Sequence, residues 1–218
     1  MSIAAARRQA IIDEIARAAK LARRDPGDVK LIAVSKTHGA EAIEELIAAG
    51  QRDFGESRVQ EALAKWPPLL EVHPDVTLHC VGRLQSNKAA EAVRLFSIIH
   101  SLDRASLLDA LVREADKQDR RPGVYVQVNI GDEDQKGGCA IGEVAGLVAA
   151  VRASPLPLAG LMAIPPLGVE PSPYFALLAE LARRHDVTGL SMGMSADFRS
   201  AVMLGATAVR VGTALFEV

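Results

Sequence analysis

Lys30-Leu31-Ile32-Ala33-Val34-Ser35-Lys36-Thr37 is a compact apolar run that ends abruptly in a lysine. A short run of this kind, bounded by polar residues, reads as a buried strand of a parallel sheet. The pattern Ile43, Leu46, Ile47 follows at helical spacing and stops at Gly50, a residue suited to a helix C-terminus. Lys36 is therefore placed at the C-terminal end of a buried strand, just before a βα turn. In α/β architectures that end carries the chemistry. A lysine there can simply reach solvent. If it is desolvated, it presents a neutral amine able to attack a carbonyl.

Outward from this strand, strand-like and helix-like segments alternate. Strands are expected at Leu31–Ser35, Asp53–Gly55, Thr77–Val81, Ile98–Ser101, Tyr125–Asn129, Ala159–Met162, Gly189–Ser191 and Ala208–Val211. Helical patterns lie between them near 40–49, 58–65, 87–95, 104–118, 141–152, 172–183 and 196–204. In the clearest, Leu107, Leu108, Leu111, Val112 and Ala115 share a face and Asp103 is placed to cap it. Strict alternation argues for a parallel sheet, and eight strands are the number that closes a (β/α)8 barrel. An open doubly wound sheet would normally supply a glycine-rich nucleotide turn, and no G-x-G-x-x-G follows any strand. The reading is a single TIM-type barrel domain over 1–218. An extra amphipathic N-terminal helix, carrying Ile11, Ile12 and Ile15, precedes it.

With 218 residues, 49% hydrophobic and 24% charged, and a net charge of −2, the composition is that of an ordinary globular protein. The near-neutral balance offers no footprint for nucleic acid or an anionic membrane. No stretch approaches the ~20 apolar residues of a membrane span, and the N-terminal segment has no signal-peptide core. Two cysteines, Cys80 and Cys139, fit a reducing compartment. A cytoplasmic location is expected, and a monomer rather than an obligate dimer.

Three motif-like stretches carry little. Gly82 to Lys88 has the glycine and lysine of a P-loop but lacks the second glycine, and Ala89 replaces the magnesium-binding hydroxyl. Asp132, Asp134, Gly137 and Glu143 fall on EF-hand positions, yet Lys136 occupies a ligand position and a strand enters the loop. His38, His79 and Cys80 do not repeat at a metal-binding spacing.

The C-terminal loops are more informative. Ser191-Met192-Gly193-Met194-Ser195 follows the seventh strand and enters a helix that Ser195 is placed to cap; Arg210-Val211-Gly212-Thr213 closes the eighth. Such loops offer backbone N–H groups and hydroxyls to a phosphate, and barrels of this class bind phosphate after strands seven and eight. Closure puts them beside strand one and Lys36. Arg210, within an apolar strand, needs an acceptor near the rim, either an ion-pair partner or a bound ring. Lysine, phosphate loops and arginine together suit pyridoxal phosphate: lysine for the Schiff base, loops for the phosphate, arginine for the pyridine nitrogen.

From Leu31 to Phe216 the chain also resembles the pyridoxal phosphate homeostasis proteins, relatives of the barrel domain of alanine racemase. The resemblance rests on Ala33-Val34-Ser35-Lys36-Thr37, Phe54-Gly55-Glu56, Val59-Gln60-Glu61 and His79 with Gly82 and Leu84 to Lys88. It continues in Gln127 to Ile130, Gly160 to Pro165, Ser191 to Ser195 and Val209 to Ala214. It implies that Lys36 carries the cofactor, that Arg210 faces the pyridine nitrogen, and that Ser191, Gly193, Ser195, Gly212 and Thr213 surround the phosphate. Ser57 stands where the family usually has a longer asparagine near the cofactor, and Phe216-Glu217-Val218 stands where glycine usually follows the phenylalanine.

The implied function is a holder of pyridoxal phosphate that maintains its intracellular supply, with apo-enzymes as possible recipients and no catalysis. The alternative is an amino-acid racemase. Racemisation needs a second base on the opposite face, in alanine racemase a tyrosine from an additional domain. Here the chain ends soon after the eighth strand. Tyr125 is expected away from the site, Tyr174 before a surface helix, and His38 towards solvent. A Schiff-base aldolase would not need Arg210 or the two phosphate loops. A guanidinium does not readily protonate the ring nitrogen, which suits a holder or racemase better than an aminotransferase.

Overall fold

The computed structural model describes residues 2–133 and 135–216; Met1, Asp134, Glu217 and Val218 lie outside the described residues. Eight parallel strands close into a barrel in chain order: β1 Lys30–Val34, β2 Asp53–Glu56, β3 Thr77–Cys80, β4 Ile98–Leu102, β5 Gly123–Gln127, β6 Leu158–Met162, β7 Leu190–Ser191 and β8 Ala208–Val211. β8 pairs with β1, Ile32 opposite Arg210, so the first and last strands share one seam. Helix α1 (Ile3–Leu21) precedes the barrel. The outer layer is α2 (Ala40–Ala48), α3 (Val59–Val72), α4 (Ala89–Leu95), α5 (Ala105–Gln118), α6 (Val144–Ala153), α7 (Ser172–Arg184), α8 (Phe198–Met203) and the short α9 (Thr213–Phe216). Among the described residues no helix is long and apolar enough to cross a membrane.

Helix α1 is capped by the Ser2 hydroxyl, which accepts from the Ala5 N–H at 3.2 Å. It buries Ile11, Ile15, Ala18 and Ala19, the stripe its spacing predicts, with Ile12 at the margin. The guanidinium of Arg24, just past its end, donates to the Val202 and Ala206 carbonyls at 2.6 and 2.9 Å, tying the helix to the α8 region.

Three local expectations are corrected. α3 runs through Pro67 and Pro68 to Val72 instead of stopping near 65. Each proline removes a helical N–H, but the helix is held from outside by buried Trp66 and Leu69, and tertiary packing outweighs propensity. Asp103 does not cap α5; Arg104 occupies that position without a side-chain cap, and the Asp103 carboxylate pairs with the Arg104 guanidinium. Nor does Ser195 cap α8, whose N-terminal residue is preceded by Asp197; the Asp197 carboxylate accepts from the Met194 N–H at 2.6 Å and shapes the loop before the helix.

Alternation along the strands sorts the side chains into two layers. The outward set, Phe54, Leu78, Ile99, Val124, Val126, Leu161 and Val209 among it, belongs to the apolar layer beneath the helices. The inward set is unusual. TIM barrels are commonly filled by branched aliphatic residues. This one holds His79, His100, Tyr125, Ser191 and Arg210 beside Ile32 and Met162, all buried. Tyr125 stacks on His100 with ring centroids 4.4 Å apart. Its ring fits because its partner across the β5–β6 ladder is Gly160: a Cβ there would lie 2.6 Å from the tyrosine Cε1 and 2.2 Å from the Gly189 carbonyl oxygen.

Gly160→Ala should therefore destabilise the barrel by about 1–3 kcal/mol through overpacking. A lower urea midpoint with an unchanged slope checks this.

Candidate functional site at the C-terminal mouth of the barrel

Loops at the C-terminal ends of β1, β2, β3, β6, β7 and β8 enclose a cavity of about 390 Å³. Its wall includes Lys36, Ser57, Ser195, Arg210, Gly212 and Thr213, six of the eight residues singled out from the sequence. Lys36 is exposed in the turn after β1, so the amine is reachable rather than desolvated by protein. Ser57 lies in the turn after β2, packed so closely on Gly82 that a Cβ at 82 would sit 2.0 Å from the Ser57 carbonyl oxygen. The Gly212 N–H points at the Ser195 hydroxyl oxygen, 3.4 Å away, which joins the last two loops.

The other two residues lie behind the wall. Ser191 is still within β7 and points into the barrel, fully buried, with its hydroxyl oxygen accepting from Arg210 Nη1 at 2.6 Å. It lies beneath the cavity and is not part of its wall. Gly193, at φ 92°, gives its carbonyl to the Arg210 N–H at 2.9 Å and lets α8 approach: a Cβ would lie 2.6 Å from that of Ala201.

His38 lines the cavity, where solvent had been expected, and its ring stacks on Phe216 at 4.2 Å. Spacing gave no sign of this, because the contact depends on where the last turn of the chain lands. Val34, Thr37, Val81, Ile164, Met194 and Ala196 complete the wall.

The lysine turn is held from outside. Lys65, on α3, donates to the Ser35 and His38 carbonyls, each at 2.9 Å, and pairs with Glu56 at 2.7 Å. The same Glu56 oxygen accepts from Ser35 Oγ at 2.7 Å and Trp66 Nε1 at 2.9 Å. Glu56 is fully buried, and its second oxygen has no partner among the described residues. Between the clamped carbonyls, Thr37 adopts φ 68°, an uncommon conformation for a β-branched residue, costing on the order of 1–3 kcal/mol. The Gly-Glu pair that ends β2 thus anchors the lysine turn through Lys65.

Arg210 is only 4% exposed and forms no ion pair among the described residues. Its donors go to neutral oxygens, Ser191 Oγ and the Ala163 carbonyl at 3.1 Å. Burial draws its pKa down to about 10, against the pull of Asp197, and the group stays charged at neutral pH. Below it the polar contacts continue. His100 Nδ1 lies 2.8 Å from Ser191 Oγ, His79 Nδ1 2.9 Å from His100 Nε2, and Asp53 Oδ1 3.0 Å from His79 Nε2. Lys30 pairs with Asp53 at 2.9 Å at the opposite mouth.

Burial pushes both imidazoles below the usual histidine value of 6.5. For His79 the Asp53 carboxylate opposes that shift and Lys30 adds to it; for His100, His79 and Arg210 both add to it. Burial works to raise the Asp53 carboxyl, and the bonds from His79 and Lys30 outweigh it, leaving it below the ordinary carboxylate value.

A model of the alanine racemase N-terminal domain matches residues 7–218. The pyridoxal phosphate homeostasis protein of Pseudomonas aeruginosa is 41% identical over 208 residues, covering 93% of this chain and 90% of that one. The chain belongs to the pyridoxal phosphate homeostasis protein family. PipY of Synechococcus elongatus PCC7942, solved with PLP bound, is 43% identical with a TM-score of 0.81, over 93% of this chain and 99% of that one. Clostridium difficile alanine racemase shares the fold alone, at 12% identity and a TM-score of 0.65 over 94% of this chain and 55% of that one. Family membership accounts for the motifs that cluster at the mouth; the polar lumen is described by the geometry alone.

Two outcomes follow. Lys65→Met leaves Glu56 buried without its cation, so it should lose about 3–5 kcal/mol, and adding Glu56→Gln should restore part of that loss; unfolding titrations of the single and double variants check it. A histidine whose folded pKa is depressed contributes stability that is present above the unfolded value and lost as pH falls. The urea midpoint should therefore drop as pH falls through about 6.5, and drop further as Asp53 protonates below about 3.8.

Proposed function

We propose that the chain holds pyridoxal 5′-phosphate covalently through Lys36 at the mouth of the barrel and maintains its intracellular supply, passing it to apo-enzymes. The observation that carries this reading is the convergence on one cavity of an exposed lysine, a buried arginine and the loops after β7 and β8. The residues fit the group. When bound, the cofactor supplies an aldehyde that an amine takes up reversibly, an aromatic ring with an acceptor nitrogen, and an anionic phosphate.

Lys36 provides the amine. Arg210 provides a donor-only cation for the ring nitrogen. Ser195, Gly212 and Thr213 provide hydroxyl and backbone donors for the phosphate, each bond worth ~1.5–3 kcal/mol, and Ser57 belongs to the same wall. The two free, buried cysteines suit a reducing, cytoplasmic setting.

Holding is favoured over racemisation by the placement of acids and bases. Lys36 and His38 sit on one turn. Tyr125 is buried against His100 in the lumen, Tyr174 packs on the core from α7, and neither lines the cavity. No tyrosine is set to act as a second base.

Borohydride treatment of the loaded protein followed by peptide mapping should place the label on Lys36, and Lys36→Ala should abolish it; a label elsewhere overturns the assignment. Pyridoxal lacking the phosphate should bind at least tenfold more weakly. Chiral chromatography of alanine and serine incubated with the loaded protein should show turnover well below about one per second, the low end for enzymes.

A further inference from the structure

Apart from Arg210, the polar lumen beneath the mouth has no part in the reading above, although it holds His79, His100 and Ser191 in full burial. Five side chains from five strands form one unbroken line: Asp53 at the start of β2, His79 on β3, His100 on β4, Ser191 on β7 and Arg210 on β8. Their successive contacts are 3.0, 2.9, 2.8 and 2.6 Å. Other groups facing the line are Lys30, which pairs with Asp53, and Tyr125, which stacks on His100.

The two ends determine the direction of every proton between them. An ionised Asp53 only accepts, so His79 donates to it from Nε2. A neutral imidazole has a single N–H, so His79 Nδ1 must accept, and His100 must donate to it from Nε2. His100 Nδ1 then accepts in turn, and the Ser191 hydroxyl gives it the only proton it has. The oxygen of that hydroxyl is left as an acceptor for Arg210, which only donates. Every group in the line is satisfied, with Arg210 as the one cation and Asp53 as the one anion. Protonating either imidazole would break the pattern by setting a donor against a donor.

We propose that His100, His79 and Asp53 are positioning residues for the cofactor site: by committing the Ser191 proton downward, they lock its oxygen onto Arg210 and so fix the guanidinium beneath the bound ring. This rests on the reading that Arg210 meets the ring of pyridoxal phosphate. The line also links the buried cation through neutral groups to its counter-charge at the far mouth, where Asp53 is partly exposed. Neutral imidazoles, as their burial favours, are what this requires.

The test has two arms. In the cofactor-free protein, ring 15N shifts should show both His79 and His100 as neutral Nε2–H tautomers at pH 7. A neutral Nδ1–H ring or an imidazolium at either position overturns the proposal.

In the second arm, His100→Leu keeps the bulk but removes both bonds, and should weaken pyridoxal phosphate binding about tenfold, the worth of one hydrogen bond to a charged group. It should also shift the visible absorption of the loaded protein. His100→Gln keeps one acceptor and one donor and should recover most of the affinity; a purely packing role would give no such rescue. Leucine and glutamine variants that both bind like the wild type overturn the proposal. Should His100→Leu fail to fold, Ser191→Ala, which removes both the acceptor for Arg210 and the donor to His100, takes its place with the same expected loss. A wild-type protein that takes up no cofactor would refute the holding function, while the tautomers would still report whether the line is ordered as proposed.

Discussion

Arg210 carries a full positive charge into the lumen of a closed barrel, where it is only 4% exposed and among the described residues no carboxylate pairs with it directly. A buried cation of this kind must be surrounded by acceptors or it destabilises the fold by several kcal/mol. Much of the interior follows from that demand. The lumen carries a serine, two histidines and a tyrosine in place of stacked aliphatic layers. Gly160 is bare because the tyrosine ring occupies its space, and the line of contacts runs down to an aspartate at the far mouth.

The outer layer answers a second demand. The turn that carries Lys36 includes a β-branched residue in the left-handed region, a conformation that persists only when its surroundings over-determine it. The clamp is an ammonium from α3 bound to two carbonyls of the turn and to a buried glutamate. One charged system therefore lies inside the sheet and one outside it. The first holds the guanidinium and the second holds the amine. The cavity between them has Lys36 supported from outside the sheet and Arg210 from inside it.

This division suits a holder. A reactive amine that stays open to solvent can take up and release an aldehyde, whereas a racemase needs a second acid–base group set across the ring from the first. Here the ionisable side chains at the wall are Lys36 and His38 on a single turn and Arg210 below. The tyrosines that such a reaction could use are committed to the lumen and to the helical layer.

The local pattern determined the architecture. Apolar runs of strand length alternating with helical stripes specify a parallel sheet, because only a strand covered on both faces is apolar at successive positions. Eight such units leave no edge once the first and last strands meet. Lys36, Ser195, Arg210, Gly212 and Thr213 could be singled out because they stand at or near strand ends, where polar residues and glycine interrupt apolar runs, whereas Ser57 was reached only through the family resemblance. The lining by His38, the burial of Ser191 and the helix that continues through Pro67 and Pro68 were decided only in three dimensions.

So was the line from Asp53 to Arg210. Its members lie on β2, β3, β4, β7 and β8, far apart in the chain, and each taken singly reads as an isolated polar residue in or beside an apolar strand. Periodicity tells which residues face inward; it does not tell which inward residues meet across a lumen, since that depends on the stagger and closure of the whole barrel. Proton direction is set at one further remove, because a histidine's tautomer is chosen by its neighbours on both sides and here those neighbours come from separate strands.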